Sequence, residues 1–319
     1  MACAKTCLIL GAGASKPYGY PLGWQLKERI IQYCLSKAPY CAPPEKLSET
    51  WHRLEQFARR FDEDDSTTID AFLNTLPKND ELGRHGRMAI VAVLSAYEDA
   101  FDERERWYGS VLDLLEAPGD FTSLKIITFN YDRSFEFFVS RYIQRRDKSS
   151  PQTAREKFQQ QVEVEHVYGC YAKLPHFAGA NAIAPEYGSL TGHDSWKGAI
   201  ENIQLIGEEM LKGEHVCRAT EWIASADYII ILGFGFDHTN LNLIGLDSLP
   251  AGKFVFSSGF RLPNETRSRV RWSCIPTKFY FAGANASIET FLEESRILSF
   301  AARGEPVEDF YRRVGSGTG

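Results

Sequence analysis

Close to the start of the chain an apolar run, Thr6-Cys7-Leu8-Ile9-Leu10, breaks directly into Gly11-Ala12-Gly13-Ala14-Ser15. A strand that stops at a Gly-x-Gly turn carries no Cβ where its backbone would approach a pyrophosphate. The pattern therefore confines the opening to a strand-turn-helix unit with a nucleotide site at the bend. A hydride-transfer site wants a third Gly or Ala three residues after the second Gly, with a helix starting at once. Lys16 stands at that position, and Pro17 and Pro21 follow. Proline is tolerated only in the first turn of a helix. The sequence thus predicts a mobile loop over Lys16-Pro17-Tyr18-Gly19-Tyr20 and a helix starting near Pro21-Leu22.

The strand signal returns at Leu124–Phe129, at Val162–Glu165 before His166, at Asp227–Leu232, at Lys253–Ser258 and at Thr277–Phe281. Helical spacing fills Leu22–Ser36, Arg133–Gln144, Trp196–Ser225 and the segment from Ala286. Between Glu45 and Leu115 every periodic stretch is helical; Trp51, Leu54, Phe57 and Ala58 share one face. Alternating strands and helices define an α/β fold: a Rossmann-like, doubly wound parallel sheet with a helical insertion. The expected division is 1–36 and 121–300 for the sheet domain and 37–120 for the insertion. Residues 301–319 form a C-terminal helix and a flexible tail.

The formal net charge of -6 argues against a protein that binds nucleic acid through a broad basic field. The one short basic cluster, Arg141, Arg145, Arg146 and Lys148, reads as a solvated helix end. No apolar run approaches the roughly 18 residues that span a bilayer, and no secretory leader opens the chain, so no membrane contact and a cytoplasmic location are expected. Seven cysteines without a C-x-x-C pair read as free thiols, with no metal site. The acidic run Asp62-Glu63-Asp64-Asp65 lacks metal-ligand spacing and reads as a solvated loop.

Ligands of doubly wound sheets sit outside the carboxyl ends of the strands. The polar residues there are Gly11, Gly13 and Ser15; Asn130 and Asp132; His166; and Gly233, Gly235 and Asp237. Each has a plainer reading beside it. Asn130-Tyr131-Asp132 could cap the following helix, His166 could be a satisfied histidine, and His238 could cap a helix.

Taken together and in order, Gly11-Ala12-Gly13-Ala14-Ser15, Thr128-Phe129-Asn130-Tyr131-Asp132, His166 and Gly233-Phe234-Gly235 resemble the Sir2 (sirtuin) superfamily. More narrowly, they resemble its prokaryotic Sir2-like NAD-consuming branch. The resemblance implies that Gly11, Ala12, Gly13 and Ser15 cradle the NAD+ pyrophosphate and that Gly19-Tyr20-Pro21 forms the cofactor loop, with Pro21 in contact. It places Thr128, Asn130 and Asp132 beside the nicotinamide ribose and makes His166 the catalytic histidine. The family's His-Gly is stretched here to His166-Val167-Tyr168-Gly169. Gly233, Gly235 and Asp237 follow the buried strand, and Ser257 and Ser258 fall toward the adenosine end.

Only Cys170 and Cys217 lie between the histidine and the glycine-rich turn, where sirtuin deacylases carry four zinc-binding cysteines, and Leu22-Gly23 replaces a common arginine. No zinc module and no metal are therefore expected, and deacylation is disfavoured. The implied activity is NAD+ glycohydrolysis, with NAD+ as substrate and Asn130, His166 and Asp132 as catalytic residues. His166, near an ordinary pKa of about 6.5, would accept a proton, while amides from Gly13 to Ser15 would face the diphosphate. The branch implies an anti-phage effector that depletes NAD+ in abortive infection. A homo-oligomer is expected, with a HerA-like hexameric ATPase or an Argonaute-type protein as partner, and the insertion as interface or lid. The alternatives are an NAD or ADP-ribose sensor without turnover, and a protein deacylase or ADP-ribosyltransferase.

Overall fold

Six strands form one parallel sheet: β1 (Thr6–Leu10), β2 (Leu124–Thr128), β3 (Val162–His166), β4 (Tyr228–Leu232), β5 (Phe254–Ser257) and β6 (Lys278–Phe281). They are seen in a computed structural model that describes residues 5–36, 47–77, 80–99, 107–116, 124–178, 184–190, 193–204, 213–273 and 277–315. Every residue of β1 and β4 is buried, which is why both read as continuous apolar runs rather than alternating ones. The spatial order is β3-β2-β1-β4-β5-β6. It is the order of doubly wound dinucleotide-binding sheets, and it reverses between β1 and β4, where the crevice of such sheets lies. The observed fold is α/β with an open, all-parallel sheet, compatible with a Rossmann-like architecture.

The first helices are α1 (Ala12–Ser15), α2 (Gly23–Ser36), α3 (Leu47–Glu63), α4 (Ile69–Thr75), α5 (Glu81–Asp99) and α6 (Trp107–Glu116). After β2 come α7 (Ser134–Asp147), α8 (Pro151–Gln161), α9 (His193–Asn202), α10 (Glu214–Ser225) and α11 (His238–Leu243). The last four are α12 (Asn264–Ser273), α13 (Ile288–Ser295), α14 (Ile297–Ala302) and α15 (Val307–Gly315).

The loop expected over Lys16–Tyr20 is structured. A helical turn begins at Ala12 and passes into a 3-10 turn, Lys16–Tyr18, that ends at Gly19 with φ 99°. Pro17 sits near the start of that turn, where a missing N–H is tolerated. Burial of two aromatic rings orders the rest: Tyr18 and Tyr20 are 0% and 1% exposed. Helix α2 then starts at Gly23, with the Leu22 amide donating to Gln25 Oε1 at 3.0 Å. Helix α8 has no counterpart among the expected elements. Its start is nevertheless written in the sequence, with Ser150 accepting from Thr153 N and Pro151 in the first turn.

The helices of the insertion build one core with the sheet. Phe57, Phe61 and Phe72 pack within it with ring centroids 4.8–5.8 Å apart. At the other end, the domain boundary expected at 300/301 falls inside α14. Phe310 of α15 is fully buried against Phe256 of β5, at 4.9 Å between centroids, and Tyr228 Oη donates to Glu305 O. Of the flexible tail expected over 315–319, Gly315 is the last residue of α15 and 316–319 lie outside the described residues.

Cys7, Cys34, Cys170 and Cys217 are free thiols, and burial pushes the Cys7 thiol up to about 12. Cys3, Cys41 and Cys274 lie outside the described residues. No zinc module is seen among the described residues, and no helix there is long and apolar enough to cross a membrane. Because Phe310 belongs to the core, Phe310→Ala is expected to cost about 3–5 kcal/mol in urea denaturation despite its place near the end of the chain.

Candidate functional site

At the switch point the two glycine turns interlock. The amide of Gly11 donates to Leu232 O at 3.0 Å and that of Gly13 to Gly233 O at 2.9 Å. A Cβ on Gly13 would lie 2.8 Å from Gly233 Cα. One on Gly233, whose φ is +61°, would lie 2.1 Å from the Ala14 amide. Close packing of the two turns thus demands glycine at both positions. It also engages the Gly13 N–H, while Ala14 N donates to Gly11 O at 2.8 Å, so neither amide faces outward as expected. At Gly235 a Cβ would meet nothing within 4 Å. The serines at the end of β5 are likewise turned to the backbone. Ser257, fully buried, donates its hydroxyl to Ser258 O at 2.7 Å, and Ser258 Oγ accepts from Gly233 N at 2.9 Å.

Asn130 leaves β2 beside this knot. Its Nδ2 donates to Gly11 O at 3.1 Å and to Ser15 Oγ at 3.0 Å, and its backbone amide donates to Thr128 Oγ1 at 3.1 Å. A carbonyl only accepts, which fixes the orientation of the side-chain amide. Asp132 accepts from Ser134 N at 3.1 Å and from Ser134 Oγ, an Asx turn that leads into α7, whose N-cap is Arg133. Burial holds its carboxyl above the ordinary value against those two donors. Asp237 is exposed and caps α11, accepting from Thr239 N at 2.9 Å. Pro21 is buried just ahead of α2, and Ala12 is the first residue of α1.

His166, at the end of β3, is 2.8 Å from Asn130 O through Nδ1 and 2.8 Å from Glu136 Oε1 through Nε2. The carbonyl requires a proton on Nδ1, and the carboxylate takes one from Nε2, so the geometry is that of an imidazolium. Burial opposes that charge, but the Glu136 carboxylate and the Asn130 carbonyl outweigh it and raise the pKa above 6.5. The expected proton acceptor with an ordinary pKa is therefore corrected: in this arrangement neither ring nitrogen has a free lone pair. The space bounded by Ser15, Tyr108, Asn130, Asp132, Glu136 and His166 measures about 10 Å³, room for about one water. Glu136 was not among the sequence candidates. Its signal is an acid in the first turn of a helix that begins at a strand end.

The insertion grips the same motif from the other side. Tyr131 Oη donates to Asp70 of α4. Arg133 donates to Glu98 of α5 at 2.7 and 2.9 Å and to the carbonyls of Lys173, Pro185 and Glu186 at 3.1, 2.7 and 2.8 Å. From α6, Trp107 Nε1 donates to Ala14 O at 2.7 Å, and the Tyr108 amide donates to Tyr18 Oη at 2.8 Å, with the Tyr18 and Tyr108 rings stacked at 3.8 Å. Asn130, Asp132, His166, Ser15 and Thr128 are thus brought together, whereas Asp237 and Ser257 serve helix α11 and the β5 end. Among the described residues no group of three or more His, Cys, Asp or Glu is placed to hold a metal ion. No family model and no curated protein matches the chain.

Two outcomes follow from this geometry. Gly233→Ala is expected to destabilise the protein by more than about 3 kcal/mol and Gly235→Ala by less than about 1 kcal/mol, compared by thermal melts. Glu136→Gln is expected to lower the His166 pKa, read from its imidazole NMR resonances against pH. A raised folded-state pKa adds stability that is full below about 6.5 and is lost as pH rises through the folded value. The variant's stability deficit should therefore shrink from pH 6 toward alkaline pH.

Proposed function

We propose that the chain is an NAD+ glycohydrolase, cleaving NAD+ to nicotinamide and ADP-ribose. The observation that carries this reading is the meeting of Asn130 and His166, from adjacent strands, beside the β1 glycine turn at the switch point. Dinucleotides lie across that crevice in sheets of this order. Nicotinamide departs as a neutral heterocycle, so no general acid is required, and the transition state is oxocarbenium-like. The residues needed are those that hold the ribose and direct one water. Asn130 fixes the turn, Asp132 fixes the start of α7, and His166 stands at the strand end, where it would take the proton once Nε2 is released from Glu136 and deprotonated.

In this reading, parting His166 from Glu136 widens the water-sized space and removes the carboxylate that holds the imidazole charged, so that Nε2 releases its proton to solvent and then acts as base. The closed form then suits an activity that depletes NAD+ and must be held in check. The resemblance to Sir2-like effectors would put it in anti-phage defence, as an oligomer or with an ATPase or Argonaute-type partner. A second reading, a sensor of NAD+ or ADP-ribose without turnover, is favoured by the engagement of both imidazole nitrogens.

The deciding experiment is chromatographic quantification of NAD+, nicotinamide and ADP-ribose with wild type, Asn130→Ala and His166→Ala, each checked for folding by circular dichroism. Nicotinamide release by wild type that falls at least about 100-fold in both variants is the expected result. Absence of turnover together with an NAD+-dependent rise in Tm supports the sensor, and absence of both overturns the NAD+ reading.

A further inference from the structure

Glu136 faces His166; the next residue of α7, Phe137, lines a second cavity of about 480 Å³. That volume is within the range of small-molecule sites, and its wall has an unusual composition for a chain of net charge -6. Four cations, Arg141, Arg145, Lys148 and Arg155, line it against one carboxylate, Glu186. Beneath them the surface is apolar, with Leu174, Pro175 and Phe177 beside Phe137. Two hydroxyls in the wall, Ser140 Oγ and Ser149 Oγ, are buried without a hydrogen-bond partner among the described residues. Unsatisfied buried hydroxyls carry a desolvation penalty in this state of the wall.

A solvated helix end accounts for only part of this cluster. Arg145 and Arg146 occupy the last turn of α7, where cations complement the helix dipole. Arg146 turns to Asp147 at 2.7 Å, and Lys157 meets the same carboxylate at 2.5 Å; neither cation lines the cavity. Arg141, a turn earlier, lies over the Phe137 ring at 5.3 Å, and Arg155, on the neighbouring helix α8, donates to Gln159 Oε1 at 3.1 Å; the α7 dipole explains neither position, and both line the cavity.

We propose that this cavity is a binding site for a nucleotide-sized phosphate ester, the phosphate held by the cations and the planar base laid on the apolar floor. Arginine forks match phosphate oxygens, and guanidinium and aromatic faces accept a base. The site adjoins the machinery at the strand ends. Phe137 stacks on Tyr187 at 3.7 Å, and the Tyr187 hydroxyl is 2.6 Å from that of Tyr20 in the loop before α2. The carbonyl of Glu186, which lines the cavity, also accepts from Arg133. Binding there is independent of whether the His166 site turns over NAD+.

The test is a fluorescence-anisotropy titration of methylanthraniloyl-AMP into the full chain, with AMP and inorganic pyrophosphate as competitors. Wild type, the double variant Arg141→Gln/Arg155→Gln and Asn130→Ala are compared, with folding followed by circular dichroism. Saturable binding that weakens at least about tenfold in the double variant, stays within about twofold in Asn130→Ala and is displaced better by AMP than by pyrophosphate is expected. Should the double variant not fold, Lys148→Asn, which suits the left-handed backbone there, is read in its place with the same expectation. Absence of binding, equal affinity in the cation variants, loss confined to Asn130→Ala, or equal displacement by pyrophosphate would each overturn the proposal.

Discussion

A guanidinium and a carboxylate, Arg133 and Glu98, meet in the interior at 1% and 0% exposure, and much of the molecule hangs on that contact. All five N–H donors of Arg133 are matched: two by Glu98 and three by the carbonyls of Lys173, Pro185 and Glu186. Glu98 in turn accepts from the Gly188 amide at 2.7 Å. A buried pair repays its desolvation only when its hydrogen bonds are complete, and losing one partner typically costs about 3–5 kcal/mol. This one joins three parts that are distant in sequence: the end of β2, the insertion helix α5 and the irregular segment after β3. The site motif and the helical layer are therefore positioned by one and the same set of bonds.

How much of this was legible beforehand varied with the range of the interaction. β1 and β4 announce themselves because strands buried on both faces are apolar throughout, and the strand ends then follow from the turn residues. Asn130 and His166 were found by that route, and the strand register does bring them together. Helix α8 escaped notice because its sequence is largely polar, with Ala154 and Phe158 as its buried residues. The segment over Lys16–Tyr20 was misread because two prolines suggest a break, whereas the burial of Tyr18 and Tyr20 depends on Tyr108 and Tyr97, far along the chain. Glu136, Glu98 and Asp70 are ordinary helix acids in sequence. Their importance comes from partners 30, 35 and 61 residues away.

The glycines teach a related lesson. A Gly-x-Gly turn reads as room for a pyrophosphate, but Gly11, Gly13 and Gly233 are also needed because two turns from β1 and β4 touch backbone to backbone. Both demands leave the same mark on a sequence. Of the glycines in these two turns, Gly235 is the one free of the packing demand.

Three of the insertion's grips, Asp70 on Tyr131, Glu98 on Arg133 and Trp107 on Ala14, also bear on its motion. For the helical layer to swing away as a body, it would have to break all three together, along with the core that α3 and α5 share with the sheet. Motions of that cost belong to rare sub-global opening rather than to everyday fluctuation. A change confined to the first turn of α7 requires only that Glu136 leave one imidazole nitrogen. A rearrangement there is on the scale of one side chain, whereas the insertion is held as a fixed wall beside it.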